Sequence, residues 1–264
     1  MTAVGIETVG VVGAGFMGSG IAESVARAGT RVRLYEQDER ALDRSRERID
    51  ASVGKAVARG KLSEDEAAAL IGRIDWTTDL DALADAQIAI EAVTEDEAIK
   101  REVFAQLDGI LDGDALLASN TSSIPIAQLA AVTRRPDRVL GLHFFSPVPV
   151  MKLVEVVVAL ETSEETVQRA EAFVAAIGKR AVRTKDRSGF VVNMLLVPYL
   201  MAAVRMYEEG FASAEDIDAA MQLGAGHPMG PLTLADFIGL DVLYAVCNSL
   251  YEEFKRDEYA PPPL

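Results

Sequence analysis

The stretch Thr8-Val9-Gly10-Val11-Val12-Gly13-Ala14-Gly15-Phe16-Met17-Gly18 decides the fold. It opens as an apolar run of strand length and then places three glycines in the spacing G-x-G-x-x-G. From Met17 to Ala28 apolar residues recur at helical spacing. Strand, glycine turn and helix in that order begin a βαβ unit of the dinucleotide-binding kind. The first glycine makes the tight turn, the second lets backbone approach a pyrophosphate, and the third lets helix and strand pack closely. The helix N-terminus adds unpaired N–H groups and the positive end of the helix dipole. Gly13, Ala14, Gly15, Phe16, Met17 and Gly18 are therefore candidate cofactor contacts. A second strand, 31–35, delivers Glu36 eighteen residues beyond Gly18. A carboxylate there bonds ribose hydroxyls and repels a 2′-phosphate, so the expected cofactor is NAD rather than NADP.

Outward from this unit, apolar runs alternate with amphipathic stretches, as in a parallel sheet. Further strands are expected at 88–92, 115–119, 138–142, 152–158 and 180–184, and helices at 38–59, 63–71, 96–110 and 164–177. The stretch 38–71 is long for a crossover and reads as an inserted helical pair projecting from the sheet, broken at Gly60 and restarted by a capping box at Ser63. After Gly189 the strand pattern stops. Helices are expected at 190–209, 213–223, 232–237 and 242–254, and residues 190–264 hold 3 basic against 11 acidic side chains. The fold class is α/β, a Rossmann-type doubly wound sheet with an inserted helical pair, followed by an all-α C-terminal domain. The domains are expected at 1–186 and 187–264.

Composition sets the outer limits. Of 264 residues half are apolar and a quarter charged, the balance of a globular protein. With 26 basic and 41 acidic residues the formal charge is −15, which excludes a non-specific nucleic-acid binder. One cysteine, Cys247, rules out an internal disulfide, and His143 and His227 are too few for a metal motif. The first ten residues lack the basic region of a signal peptide. The longest near-apolar run, 191–204, is interrupted by Asn193 and Pro198, so no membrane span is expected and the cytoplasm is the expected location.

A dinucleotide fold does not name a reaction. Ligands of such sheets lie beyond the C-terminal ends of the strands. Three polar clusters fall there: 119–123, which contains Asn120 and Ser122, then 141–147, which contains His143 and Ser146, then 151–155, which ends in Glu155. His143 closes a strand, and a turn around Pro147 and Pro149 would bring Glu155 beside it. An imidazole paired with a carboxylate is a general base with a fixed tautomer. The structural alternatives are a satisfied core histidine and a salt-bridged glutamate. His227 reads as a turn residue, Cys247 as core, the 191–206 stripe as core and interface, and the 44–48 charge run as a solvated helix face.

The segments GAGFMGSGIA, SNTSS, GLHFFSPVPVMKLVEVV, SGFVVNMLLVPYLMAA and LGAGHPMGP resemble the 3-hydroxyacyl-CoA dehydrogenase family, in order over essentially the whole chain and especially its bacterial 3-hydroxybutyryl-CoA branch. The resemblance implies NAD-dependent interconversion of an L-3-hydroxyacyl-CoA and a 3-ketoacyl-CoA, part of fatty-acid metabolism. It implies a homodimer formed through the helical domain, with an acyl-CoA as partner. It casts His143 as general base, Glu155 as its orienting carboxylate, and Ser122 and Asn193 as substrate contacts completing the site. Glu95 and Lys100 match positions beside the nicotinamide half of NAD, where Asn120, Ser122 and Ser146 also fall. Ser52 and Arg59, seven apart on one helix face, match CoA contacts. Two departures stand out. Ser146 replaces the family's Asn, which shortens its reach to the cofactor, and the sequence stops at Pro263-Leu264, before the family's basic, glycine-rich closing segment, which leaves open the lysine near NAD that the resemblance implies. Alternative readings are a dehydrogenase of carrier-protein-tethered acyl groups, a β-hydroxyacid dehydrogenase or imine reductase, and a non-catalytic NAD-binding protein. The β-hydroxyacid and imine enzymes rely on a lysine where this chain has Asn193.

Overall fold

The computed structural model describes residues 6–263, which divide into two compact units between Asp186 and Arg187. The first holds strands β1 (Thr8–Val12), β2 (Arg31–Tyr35), β3 (Ile74–Thr77), β4 (Ile88–Glu91), β5 (Leu116–Ser119), β6 (Val139–Phe144), β7 (Leu153–Val158) and β8 (Arg180–Lys185). Its helices are α1 (Phe16–Arg27), α2 (Glu39–Ala58), α3 (Glu64–Ile71), α4 (Glu97–Ile110), α5 (Ile126–Ala130) and α6 (Glu164–Ala176). The strands form one sheet in the order β3-β2-β1-β4-β5-β6-β7-β8, parallel at every step except β6 against β7. The first six positions repeat the doubly wound order, and the chain reverses its direction of travel between β1 and β4, where such sheets open a ligand crevice.

Burial explains why these segments became strands. All residues of β1, β4 and β5 are buried, as strands covered on both faces require. Toward the edges charge returns. Arg33 on β2 pairs with Asp75 at 2.5 Å and Asp85 at 3.1 Å, away from the cofactor end, and Arg183 on β8 pairs with Glu164 and Glu171.

The expected elements are present within a few residues at their ends, with four corrections. β3 and α5 were not foreseen, because four- and five-residue elements are too short to display a period. β6 does not stop before His143 but runs to Phe144, since pairing with β7 extends the ladder. The helical pair α2–α3 breaks at Gly60 (φ 67°) and restarts on the Ser63–Glu66 capping box, yet it does not stand clear of the sheet. Leu42, Ile49 and Val53 of α2 and Leu70 of α3 are buried in the same apolar layer as α1. Arg48, expected in solvent, is turned inward by that docking and is half-buried.

The second unit consists of α7 (Val192–Glu208), α8 (Ala214–Ala225), α9 (Pro231–Ile238) and α10 (Leu240–Phe254). Val197, Leu200, Leu243, Cys247 and Leu250 form its centre. Burial pushes the Cys247 thiol up to about 11, which makes it an unreactive core group. Asp218 of α8 accepts the Leu232 and Thr233 N–H groups at 2.8 and 2.9 Å, capping α9 where Gly230 has no side chain to do so. His227 follows the left-handed Gly226 that ends α8, and its Nδ1 lies 3.0 Å from the Tyr199 hydroxyl. Among the described residues no single helix is long and apolar enough to cross a membrane.

Candidate active site

The three glycines of the opening motif meet three different constraints. Gly13 sits at φ 99°, and a Cβ there would lie 2.7 Å from the Ala92 carbonyl oxygen. On Gly18 a Cβ would lie 1.8 Å from the Gly13 carbonyl oxygen, so helix and turn approach as closely as glycine allows. On Gly15 it would meet nothing within 4 Å. That open side is where a bulky ligand has room to approach backbone. Gly15 caps α1 without a side chain and the first turn holds no acidic residue, so the dipole end is available to an anion.

Glu36 follows β2 directly and accepts the Ala14 N–H at 3.2 Å and the Asp38 N–H at 3.4 Å. Beside it a cavity of about 410 Å³ opens between Gly13, Gly15, Tyr35 and Glu36 on one side and Ile99 and Val103 of α4 on the other. Glycine turn, uncapped helix, terminal carboxylate and adjoining cavity fit the diphosphate, ribose and base of a dinucleotide. Phe16 is exposed, whereas Ala14 is buried and Met17 packs on the core.

Across the sheet, antiparallel pairing sets His143 opposite Glu155 in register. Their side chains meet, His143 Nδ1 to Glu155 Oε2, at 2.7 Å, and both residues are buried, Glu155 completely. The Phe145 ring lies 4.5 Å from the imidazole. The carboxylate fixes the tautomer with its proton on Nδ1, which makes Nε2 the basic atom. The turn that holds Pro147 and Pro149 joins β6 to β7 and reverses the chain, which brings Glu155 beside His143 as expected. Ser146, which opens that turn, is exposed.

Between the crevice and this pair lies a charged network that sequence reading saw only in part. Lys100 is 1% exposed, with Nζ 2.6 Å from Glu91, 3.2 Å from Glu95 and 3.4 Å from the Val93 carbonyl. Its ammonium thus bridges the Glu91 and Glu95 carboxylates. Glu95 accepts from Thr121 Oγ1 at 2.5 Å, from the Ser122 N–H at 2.9 Å and from Ser123 Oγ at 3.1 Å. Burial pushes the Glu95 carboxyl up, but Lys100 and the Thr121 and Ser122 donors outweigh it and hold the group below its usual range. The loop bearing Ser122 is thereby tied to α4. Glu91, not foreseen, lies fully buried at the end of β4, accepts from Ser119 Oγ at 2.6 Å and faces Ser119 in register. A glutamate inside an apolar strand with a lysine nine residues on was the available signal. Asn120 Oδ1 accepts the Phe144 N–H at 2.9 Å and ties the ends of β5 and β6 together.

The remaining candidates lie apart. Ser52 donates to Glu23 at 3.0 Å across α1 and α2, and Arg59 caps α2 at its exposed C-terminal end. Asn193 belongs to the first turn of α7 in the second unit and is half-buried.

Residues 8–187 match the NAD binding domain of 3-hydroxyacyl-CoA dehydrogenase, and residues 189–264 match its C-terminal domain. The chain is 55% identical over 261 residues to a 3-hydroxybutyryl-CoA dehydrogenase of Mycobacterium tuberculosis, covering 98% of this chain and 91% of the relative. It is 44% identical to the human mitochondrial hydroxyacyl-coenzyme A dehydrogenase, covering 94% and 81%. Among solved structures, M. tuberculosis FadB2 superposes with a TM-score of 0.96 at 55% identity, covering 98% of this chain and 91% of that one. The (S)-3-hydroxybutyryl-CoA dehydrogenase PaaH1 of Ralstonia eutropha gives 0.92 at 44% identity, covering 97% and 90%. With both halves matched in order, and with a sheet crevice whose residues fit NAD, the chain belongs to the NAD-dependent 3-hydroxyacyl-CoA dehydrogenase family.

Proposed function

We propose that the protein acts on short-chain substrates, interconverting L-3-hydroxybutyryl-CoA and acetoacetyl-CoA, with His143 as the acid–base group. The observation that carries this reading is the buried 2.7 Å pair of His143 and Glu155. In the oxidative direction His143 Nε2 takes the proton of the C3 hydroxyl. Glu155 stabilises the imidazolium that results, and Ser122 donates a hydrogen bond to the oxygen as it becomes a carbonyl. NAD, when bound, supplies the acceptor for the hydride leaving C3. In the reductive direction the same imidazolium returns its proton to the new alkoxide oxygen. Glu36 bonds the ribose hydroxyls, the 13–18 loop meets the pyrophosphate, and Glu95 holds the Ser122 loop in place. Asn120 braces the strand ends, and Ser146, shorter than the family's Asn, reaches the cofactor through water. Asn193 completes the substrate contacts, and Ser52 and Arg59 meet the CoA.

The finer parts of this reading are supported as follows. The Mycobacterium tuberculosis dehydrogenase of 55% identity and PaaH1 of Ralstonia eutropha carry 3-hydroxybutyryl-CoA in their own names, which supports the short chain. The helical unit exposes the large apolar side chains Leu195, Phe211, Leu223, Phe237, Leu240 and Tyr244, which supports a homodimer formed through it. A lone buried thiol suits the reducing cytoplasm, where the protein would serve fatty-acid metabolism.

The test is NADH oxidation against 3-ketoacyl-CoA substrates of increasing length, for the unmodified protein and for His143→Gln. Turnover should be greatest at four carbons. His143→Gln should lose roughly 10²–10⁴-fold in kcat with little change in NADH affinity. Near-normal turnover by that variant would show that another group is the base.

A further inference from the structure

Arg48 belongs to a run of charges, and its neighbours behave as such a run should. Arg44 pairs with Asp38 and Arg46 with Asp43 at the surface. Arg48 does something else. Its Nη1 donates to the Ala14 carbonyl and to Ser19 Oγ, both at 3.0 Å. Ser19 Oγ also lies 2.8 Å from Ser45 Oγ and donates to the Gly15 carbonyl at 2.7 Å. Among the described residues no carboxylate lies within ion-pair distance of Arg48, although the chain carries a charge of −15. Its protein partners are thus neutral oxygens of the 14–19 segment.

The carbonyl it holds belongs to the peptide joining Ala14 to Gly15. In a trans peptide the N–H points opposite to the C=O. Anchoring the oxygen on α2 therefore aims the Gly15 N–H away from α2. That N–H has no partner among the described residues, and a Cβ on Gly15 would meet nothing within 4 Å. A cation on the carbonyl also polarises the peptide and makes its N–H a stronger donor. We propose that Arg48 is a positioning residue for the dinucleotide: it fixes the Ala14–Gly15 peptide with its N–H toward the pyrophosphate and lends that peptide positive charge. The proposal rests on the NAD reading of the loop.

The experiment is a fluorescence titration of NADH into the unmodified protein, Arg48→Met and Arg48→Gln, with melting curves and steady-state kinetics beside it. Arg48→Met should raise the Kd for NADH roughly 3–10-fold, less than a direct charge-assisted contact would lose because Arg48 acts through the Ala14–Gly15 peptide. KM for NADH should rise in parallel, while kcat at saturation stays within about twofold. ADP-ribose should weaken as a competitor by the same factor and adenosine should not, because only the former carries the pyrophosphate. Should Arg48→Met fail to fold, Arg48→Gln, which keeps a donor but no charge, carries the same expectation in direction. A lowered Tm with unchanged Kd in either variant would reduce Arg48 to a tie between α1 and α2 and overturn the proposal. Failure of the unmodified protein to bind NADH would overturn the cofactor reading itself.

Discussion

Glu23 and Glu36 are carboxylates of the same unit in opposite circumstances. Glu23 on α1 is 2% exposed, with Ser52 Oγ at 3.0 Å as its direct donor. Burial pushes its pKa above the usual carboxylate value, and Ser52, Arg27 and Lys179 offset this only in part. A carboxyl whose folded pKa is raised contributes stability below its unfolded value of 4.5, and that contribution is lost as pH rises through the folded pKa. Glu23→Gln keeps an acceptor for Ser52 and removes the charge, so its Tm should exceed that of the unmodified protein at pH 8, with the gap closing toward pH 4. A lower Tm at pH 8 would mean that the charge is well compensated. Glu36 instead stands at the cofactor cavity, and Glu36→Ala should erode the preference for NAD. The ratio of kcat/KM for NAD to that for NADP is the measurement, and a ratio near one in the unmodified protein would contradict the ribose assignment. Glu36, His143 and Glu155 were legible because strand ends and glycine spacing locate them. Arg48 and Glu91 were not, because whether a charged side chain turns inward depends on how its helix docks or which strand lies beside it.

At the scale of elements, the strands of the doubly wound order other than β3 were legible from alternation and from the glycine turn, and Ser63 and Gly60 marked the break between α2 and α3. What sequence could not reveal was how far pairing runs beyond the turn that sets Glu155 beside His143. The direction of β7 decides where β6 ends, and only the ladder shows it. Docking likewise decides how much of α2 is surface. Its C-terminal end is surface, and Arg59 there has a testable use. A free CoA carries a 3′-phosphate that a carrier protein's phosphopantetheine arm lacks. Arg59→Ala should raise KM for acetoacetyl-CoA and leave KM for the matching pantetheine thioester unchanged. The expected loss is at most about 1–3 kcal/mol, and toward the lower end because the site is exposed. Equal changes for both thioesters would indicate that Arg59 does not read the phosphate.

For the whole molecule, charge and apolar surface pull against each other in the helical unit, where 11 acidic side chains face 3 basic ones over residues 190–264. If two copies associate there, burial must outweigh repulsion between like charges, so the dimer should tighten as salt screens it. Phe237→Glu combined with Tyr244→Glu should shift the sedimentation coefficient from dimer to monomer. A dimer that survives both changes would place the contact elsewhere. The antiparallel β6–β7 ladder carries a last consequence, for folding rather than catalysis. Sliding β7 by one residue would set Val154 or Val156 opposite His143 and turn Glu155 to the other face of the sheet, a carboxylate buried without its imidazole. Such a misaligned strand is penalised by several kcal/mol. The paired His143 and Glu155 therefore also proofread the strand alignment as the sheet assembles.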